Sequence, residues 1–319
     1  MVGMMNRRSL MCGIGATSLL GLSACNKRNM ASLRYASPSL VWWNAVPYFA
    51  DKMGLYEKNG IIVNQFDVAT GTKSKKAVVD KNAEMGVAAP NSFSVASKEE
   101  LASLKIVANT MESDSTVSII LTKEVVDWSK QTIATVKGTI AEFYLISYLK
   151  KIGQLKAYTD GSINFIYTSP AGVANALNNG EATVGVVWEP IASALAAKVS
   201  NRALVIRDSD LYTQQIYLLS TKEYMVSHSD EVAAMKKSFK QACTYISTHR
   251  KDAATQLEKA SGFEPGYLFD AEPWRKTDFV FSDNADDMRE AMVKDFEIAK
   301  IANLARVDDF SAIEQVLPG

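Results

Sequence analysis

Pro47-Tyr-Phe-Ala-Asp-Lys-Met-Gly-Leu-Tyr-Glu-Lys-Asn-Gly60-Ile-Ile-Val63 opens a stretch that closes on Met85-Gly-Val-Ala-Ala-Pro90, and its reading decides the fold. Pro47 suits the first turn of a helix, where its missing N–H is not needed. Phe49, Ala50, Met53 and Tyr56 recur at helical spacing until Gly60 stops the run. Ile61, Ile62, Val63 and Phe66 form a strand, Gly71-Thr72 turns into a second helix, and Met85-Gly86-Val87 belongs to a second strand. Two consecutive βα units therefore read directly off the residues.

A hundred residues on, the pattern returns. Ile163 to Tyr167 is strand-like, Ser169-Pro170-Ala171-Gly172 opens a helix that ends at Gly180, and Val184-Gly185-Val186-Val187 leads to Trp188-Glu189-Pro190. Residues 62–90 and 163–190 each run strand, polar turn, helix, small turn, Val-Gly-rich strand, proline. Before the second copy, Gln131 to Val136 is a strand, Lys137-Gly138 a turn, and Thr139-Ile-Ala-Glu142 has the form of a capping box ahead of the apolar helix Phe143 to Ile152. Val117 to Leu121 is where the chain is expected to cross to a second lobe, and Gln214 to Ser220 where it returns. Apolar spacing predicts helices over 230–246 and 286–302, packed on the first lobe.

The stretch Lys52-Met-Gly-Leu-Tyr-Glu-Lys-Asn-Gly60, Gly71-Thr72, Glu84-Met-Gly-Val87 and the later Trp188-Glu189-Pro190 resemble the solute-binding proteins of ABC transporters in the nitrate, sulfonate and thiamine-precursor group. Asn82, Glu84 and Thr183 stand where that family has Gly, Asp and Asp. The resemblance implies an α/β, two-lobed periplasmic-binding-protein fold of type II, each lobe a βα sheet sandwich, joined by a two-strand hinge. It places lobe 1 at 33–115 plus 218–319 and lobe 2 at 116–217. It further implies capture of a small molecule between the lobes and delivery to an ABC permease in the membrane, with no enzymatic activity. Biosynthetic enzymes of thiamine-pyrimidine and menaquinone pathways share this general fold, and a ligand-sensing partner of a receptor is a third possibility; fold alone does not decide function.

Composition narrows the field. With 319 residues the chain is long enough for two lobes. Thirty-five basic and thirty-five acidic residues cancel, so no basic surface points to nucleic acid as a partner. Arg7-Arg8, the apolar run Leu10 to Leu22, and Leu22-Ser-Ala-Cys25 resemble a bacterial lipoprotein leader, with residues 1–24 removed, Cys25 lipidated, and residues 25–32 acting as a tether. The arginine pair fits either the general secretory or the twin-arginine route. This reading places a monomer at the extracytoplasmic face of a membrane, held by a lipid anchor. Cys12 would leave with the leader, and Cys243, beside Phe239 and Ile246, reads as a small hydrophobe on a buried helix face. No Cys/His cluster suggests a metal, and no cofactor is expected.

Nucleophile-elbow, phosphate-loop and His-Glu-x-x-His motifs are all absent from the sequence. His228 and His249 fall at the edge of and within the C-terminal helical region, away from the expected cleft. Candidate ligand-binding residues come instead from loops that follow strands: Trp42, Trp43, Asn44 and Tyr48 at the mouth of the first helix, Gly71 and Thr72, Asn91 and Ser92, Asp114 and Ser115 near the crossover, Gly138 and Thr139, and Trp188 and Glu189. Lys73, Lys75 and Lys76 fit either an anion-attracting role or a solvated helix face. Aromatic walls with Asp114 and Glu189 suit a heterocyclic ligand, neutral or cationic, whereas helix N-termini with Thr72 and Thr139 suit a sulfonate, nitrate or other oxyanion. The absence of arginine from these loops tips the expectation to the heterocycle.

Overall fold

The computed structural model describes residues 30–38, 44–199, 204–262 and 265–318. The expected leader, Cys25, Trp42 and Trp43 lie outside the described residues. Eleven strands are described: β1 (Ala31–Pro38), β2 (Ile61–Val68), β3 (Met85–Ala88), β4 (Leu104–Ser113), β5 (Val117–Leu121), β6 (Thr132–Thr135), β7 (Asn164–Tyr167), β8 (Val184–Trp188), β9 (Leu204–Ile206), β10 (Gln214–Thr221) and β11 (Thr277–Asp278). They form two sheets, ordered β11-β4-β10-β3-β1-β2 and β7-β6-β8-β5-β9. In the first, β1 is parallel to β2 and β3, while β10 runs antiparallel to β3 and β4. In the second, β6 is parallel to β7 and β8, while β5 runs antiparallel to β8 and β9. β5 and β10, antiparallel to both of their neighbours, are the strands the chain enters directly after crossing from the other sheet, and β11 adds a short antiparallel edge to β4. Those crossings are residues 114–116 and 207–213.

Helices cover both faces of each sheet. In chain order they begin with α1 (Ala45–Lys52), α2 (Leu55–Lys58), α3 (Gly71–Val79), α4 (Asn91–Ser94), α5 (Lys98–Ser103), α6 (Ile140–Lys151), α7 (Leu155–Thr159), α8 (Pro170–Asn178) and α9 (Ile191–Val199). The C-terminal part adds α10 (Lys222–Ser227), α11 (Ser229–Thr248), α12 (Arg250–Ser261), α13 (Glu272–Arg275), α14 (Ala285–Ile301) and α15 (Ser311–Glu314). Alternation along the strands divides the cores. Tyr35 and Val87 pack with Phe49 and Phe239 on one face of the first sheet, and Ala36 and Ala88 pack with Val78, Phe93 and Met292 on the other. In the second lobe Ile133 and Val186 face Phe143, and Ala134 and Val187 face Val173 and Leu195.

The sequence echo has a packing cause. A Cβ on Gly86 would lie 2.6 Å from the Ser74 hydroxyl of α3, and one on Gly185 would lie 2.4 Å from Leu177 of α8. Glycine in the middle of each strand lets the crossover helix sit close on the sheet. Ser74 uses that approach, donating to the Ala36 carbonyl at 2.7 Å and accepting from the Val87 N–H at 2.9 Å. Its hydroxyl thus pins α3 between β1 and β3.

Several expectations are corrected. The helix expected across 47–60 is two, α1 and α2, because Gly54 adopts a left-handed backbone at φ 63°. All of Gln214–Thr221 lies in the first sheet, so the return crossing precedes Gln214 instead of falling at 217/218. Glu84 is not in a free turn but pairs with the Arg34 guanidinium and accepts its backbone N–H. The C-terminal helices cover the first lobe, with α11 on α1 and α2 and α14 on α4, but α14 also reaches α6 of the second lobe. Near that contact the Tyr212 hydroxyl donates to the Asp295 carboxyl at 2.9 Å, and burial pushes Asp295 up to about 8.

Candidate functional site

Strand order places the C-terminal ends of β1, β3 and β8, together with the starts of α3, α4 and α6, around one cleft between the sheets. Pro38, Ala69, Thr70, Gly71, Thr72, Asn91 and Ser92 line it from the first lobe, and Thr139, Ile140 and Trp188 from the second. The cavity in this cleft is about 20 Å³, or about 330 Å³ when the space open to solvent is counted. Its inner part has room for little more than a water-sized group. A direct hydrogen bond closes the lobes: Asn91 Nδ2 donates to the Gly138 carbonyl at 3.1 Å.

The lining is rich in donors and, among the described residues, carries no charged side chain. In α3 the Thr70 side chain caps the Lys73 N–H at 3.2 Å, and Gly71 and Thr72 form the first turn, with the Thr72 hydroxyl 3.3 Å from that of Ser92. The capping box expected at the start of α6 is not formed. Thr139 turns its hydroxyl to the Val136 carbonyl at 2.7 Å, and Glu142 accepts from the Gly138 N–H, not from Thr139. A helix whose first N–H groups lack a side-chain cap presents a partial positive charge there. The box does occur where the sequence reading missed it, at Ser97 and Glu100 ahead of α5. Trp188 is 3 % exposed, and its indole N–H has no hydrogen-bond partner among the described residues. A buried donor of this kind is free to take an acceptor, water or ligand.

The remaining predicted residues fall elsewhere. Asn44 ties the end of β1 to α1, donating to the Pro38 carbonyl and accepting from the Ser37 hydroxyl. Tyr48 sits on α1 with Lys52 at its hydroxyl. Asp114 accepts from the Ser115 hydroxyl at 3.0 Å within the first crossing. Neither Glu189 nor Asp114 lines the cleft. Glu189 is buried, and Ser193 N–H, the Ser193 hydroxyl and Arg207 converge on its carboxylate at 3.0, 2.9 and 2.7 Å. Burial pushes the Glu189 carboxyl up against the opposing pull of Arg207.

Lysines of α3 do not line the cleft either: Lys75 is buried and paired with Glu100 at 2.8 Å, and Lys76 pairs with Asp80. His228 and His249 stack on Tyr224 and Tyr245 at helix ends. Cys243 is buried, its thiol pushed up to about 12 by desolvation. Among the described residues no group of His, Cys, Asp and Glu is placed to hold a metal ion, and no helix is long and apolar enough to cross a membrane. Pro38, Thr70 and Ile140 were missed as lining residues. The signal for the first was its place at the C-terminal end of a parallel strand, and for the other two their adjacency to Gly71 and Thr139.

Comparison with known proteins follows the same lines. The family model described as "NMT1/THI5 like" matches residues 44–253, well over half of the chain. No curated protein is significantly similar in sequence. Among solved structures, the alkanesulfonate-binding protein SsuA from Xanthomonas axonopodis pv. citri, bound to MOPS, superposes with a TM-score of 0.71 at 17% identity, covering 90% of this chain and 96% of its own. The periplasmic aliphatic sulphonate binding protein SsuA from Escherichia coli gives 0.71 at 16% identity, covering 90% and 91%. A Candida albicans protein with the generic periplasmic binding protein fold gives 0.67 at 12% identity, covering 90% and 94%. At these identities the likeness establishes the two-lobed fold.

Proposed function

The chain belongs to the NMT1/THI5-like family, and on that premise we propose that it is the extracytoplasmic substrate-binding component of an ABC importer. It captures a small oxyanion of the sulfonate class between its lobes and presents it to a membrane permease. The observation that carries this reading is the wall chemistry: two helix N-termini, Asn91, Ser92, Thr72 and the unpartnered Trp188 N–H surround one cleft that, among the described residues, no charged side chain lines. Donors on such a wall suit an acceptor-only group. The heterocyclic ligand has less support, since Asp114 and Glu189 do not line the cleft. Sulfonate binding by two structural neighbours agrees with the oxyanion.

Capture requires motion. A ligand of ordinary size needs several hundred Å³, far beyond a 20 Å³ cavity. The lobes therefore part about the crossings at 114–116 and 207–213, and ligand contacts from both walls favour closure. Isothermal titration with alkanesulfonates, nitrate, sulfate and pyrimidine-like heterocycles tests the reading. We expect an alkanesulfonate to bind and Trp188→Phe, which removes the indole N–H together with the pyrrole part of the ring, to weaken it at least about tenfold. Binding of heterocycles alone would overturn it. The same function places Cys25 at a lipid anchor; palmitate incorporation should disappear in Cys25→Ser, and undiminished labelling would remove the anchor from the proposal.

A further inference from the structure

Glu142 is fully buried in the first turn of α6. Three donors converge on its carboxylate: the Gly138 N–H at 2.6 Å, the Tyr158 hydroxyl at 3.0 Å and the Tyr167 hydroxyl at 2.7 Å. Burial first, and the carboxylate second, hold both phenols above their ordinary range, so they remain donors. The carbonyl of the same Gly138 receives Asn91 across the cleft. Glu142 therefore lies immediately behind the second lobe's wall.

The first lobe has no counterpart. No acidic residue occurs in the first turn of α3, which reads Gly71, Thr72, Lys73. A carboxylate in a helix's first turn offsets the positive end of its dipole. The N-terminus of α3, capped by the neutral Thr70 hydroxyl, has no carboxylate to offset its positive end, whereas that of α6 has Glu142 in its first turn. Neutral donors satisfy the lone pairs of Glu142 without removing that charge. In the same cleft, the Trp188 N–H independently marks a place for an acceptor.

We propose that Glu142 makes this cleft select a singly charged oxyanion over a doubly charged one, with the charged head on the α3 side within reach of the Trp188 N–H and the uncharged part of the ligand against Ile140. The inference rests on the oxyanion reading and adds to it the charge and orientation of the ligand. A second negative charge would be drawn into a water-poor wall that already holds one. At the separation of a few residues, with a protein-like dielectric, such repulsion amounts to about a tenfold preference or more.

A shape-matched pair tests it: ethanesulfonate, a monoanion, and ethylphosphonate, a dianion well above its second ionisation, titrated calorimetrically into the full chain at such a pH. The wild type should prefer the sulfonate. Glu142→Gln should narrow that preference by about tenfold. Tyr167→Phe removes one donor but leaves the charge, and should widen it by about threefold. Tyr167 is 40% exposed at the sheet edge, so this variant carries the test even if Glu142→Gln fails to fold. A sulfonate-binding wild type whose preference is unmoved in the folded variants overturns the role of Glu142 and leaves the oxyanion reading standing. Binding of neither ion by the wild type overturns both.

Discussion

Pro90 and Pro190 follow equivalent strands, β3 and β8, yet the chain does opposite things around them. In the first lobe the polar residue comes after the proline, and Asn91 turns its amide into the cleft and across to Gly138. In the second lobe the polar residue comes before it, and Glu189 turns away from the cleft while Trp188 lines it. Glu189 binds both crossing segments at once: its N–H donates to the Thr116 carbonyl at 2.8 Å and its carboxylate accepts from Arg207. Arg207 is fixed in turn by the Ser118 hydroxyl at 2.9 Å. The same topological corner therefore supplies a cleft-facing donor in one lobe and a clasp on the crossings in the other. Topology sets where a corner lies; the residue order at the proline sets what it does.

The largest effect should come from breaking the clasp. Glu189→Ala leaves the Arg207 guanidinium and the Ser193 hydroxyl without their shared acceptor. Removing one partner of a buried pair costs about 3–5 kcal/mol, and Arg207 is partly exposed, so about 2–3 kcal/mol is expected. For a chain of this size that lowers Tm by roughly 3–5 °C. Intrinsic affinity should change less than stability, because the carboxylate touches no part of the cleft. Calorimetric melting and titration of the same variant separate the two. An unchanged Tm with abolished binding would place Glu189 among the ligand contacts and erase the contrast between the corners.

That contrast also marks how far the sequence could be read. Strand ends and helix starts were legible at Gly71, Thr72, Asn91, Ser92, Thr139 and Trp188, because a parallel strand followed by a helix leaves its polar turn at the cleft whatever the side chains are. The Val-Gly-rich strands were legible for a similar reason, close helix approach at Gly86 and Gly185. Glu189 was misplaced because its partner Arg207 is 18 residues away, on a different crossing, and no local pattern joins them. Lys75 fitted either an anion-attracting role or a solvated helix face, yet Glu100 beyond the next strand draws it inside. The expected capping box failed by competition: Val136 offers Thr139 a carbonyl, and Gly138 and two tyrosines outbid the Thr139 N–H for Glu142. Side-chain pairings over long separations, unlike strand ends, are settled only once the fold exists.

The smaller effect should come from the other corner. Asn91→Ala removes the one side-chain hydrogen bond that crosses from the first lobe's cleft wall to Gly138, worth about 0.5–1.5 kcal/mol as an ordinary neutral bond. Each lobe keeps its own core, so Tm should move by only a few degrees. Closure is where the loss must appear: the closed state is favoured less by the same amount, and apparent affinity falls about three- to tenfold through that reduced population. Small-angle scattering should record a larger mean radius for the ligand-free variant than for the wild type, and saturating ligand should bring the two together. Weakened binding with no change in radius would mean that Asn91 contacts the ligand without holding the lobes. The first-lobe corner would then be a ligand contact alone, and the two corners would divide binding from hinging completely.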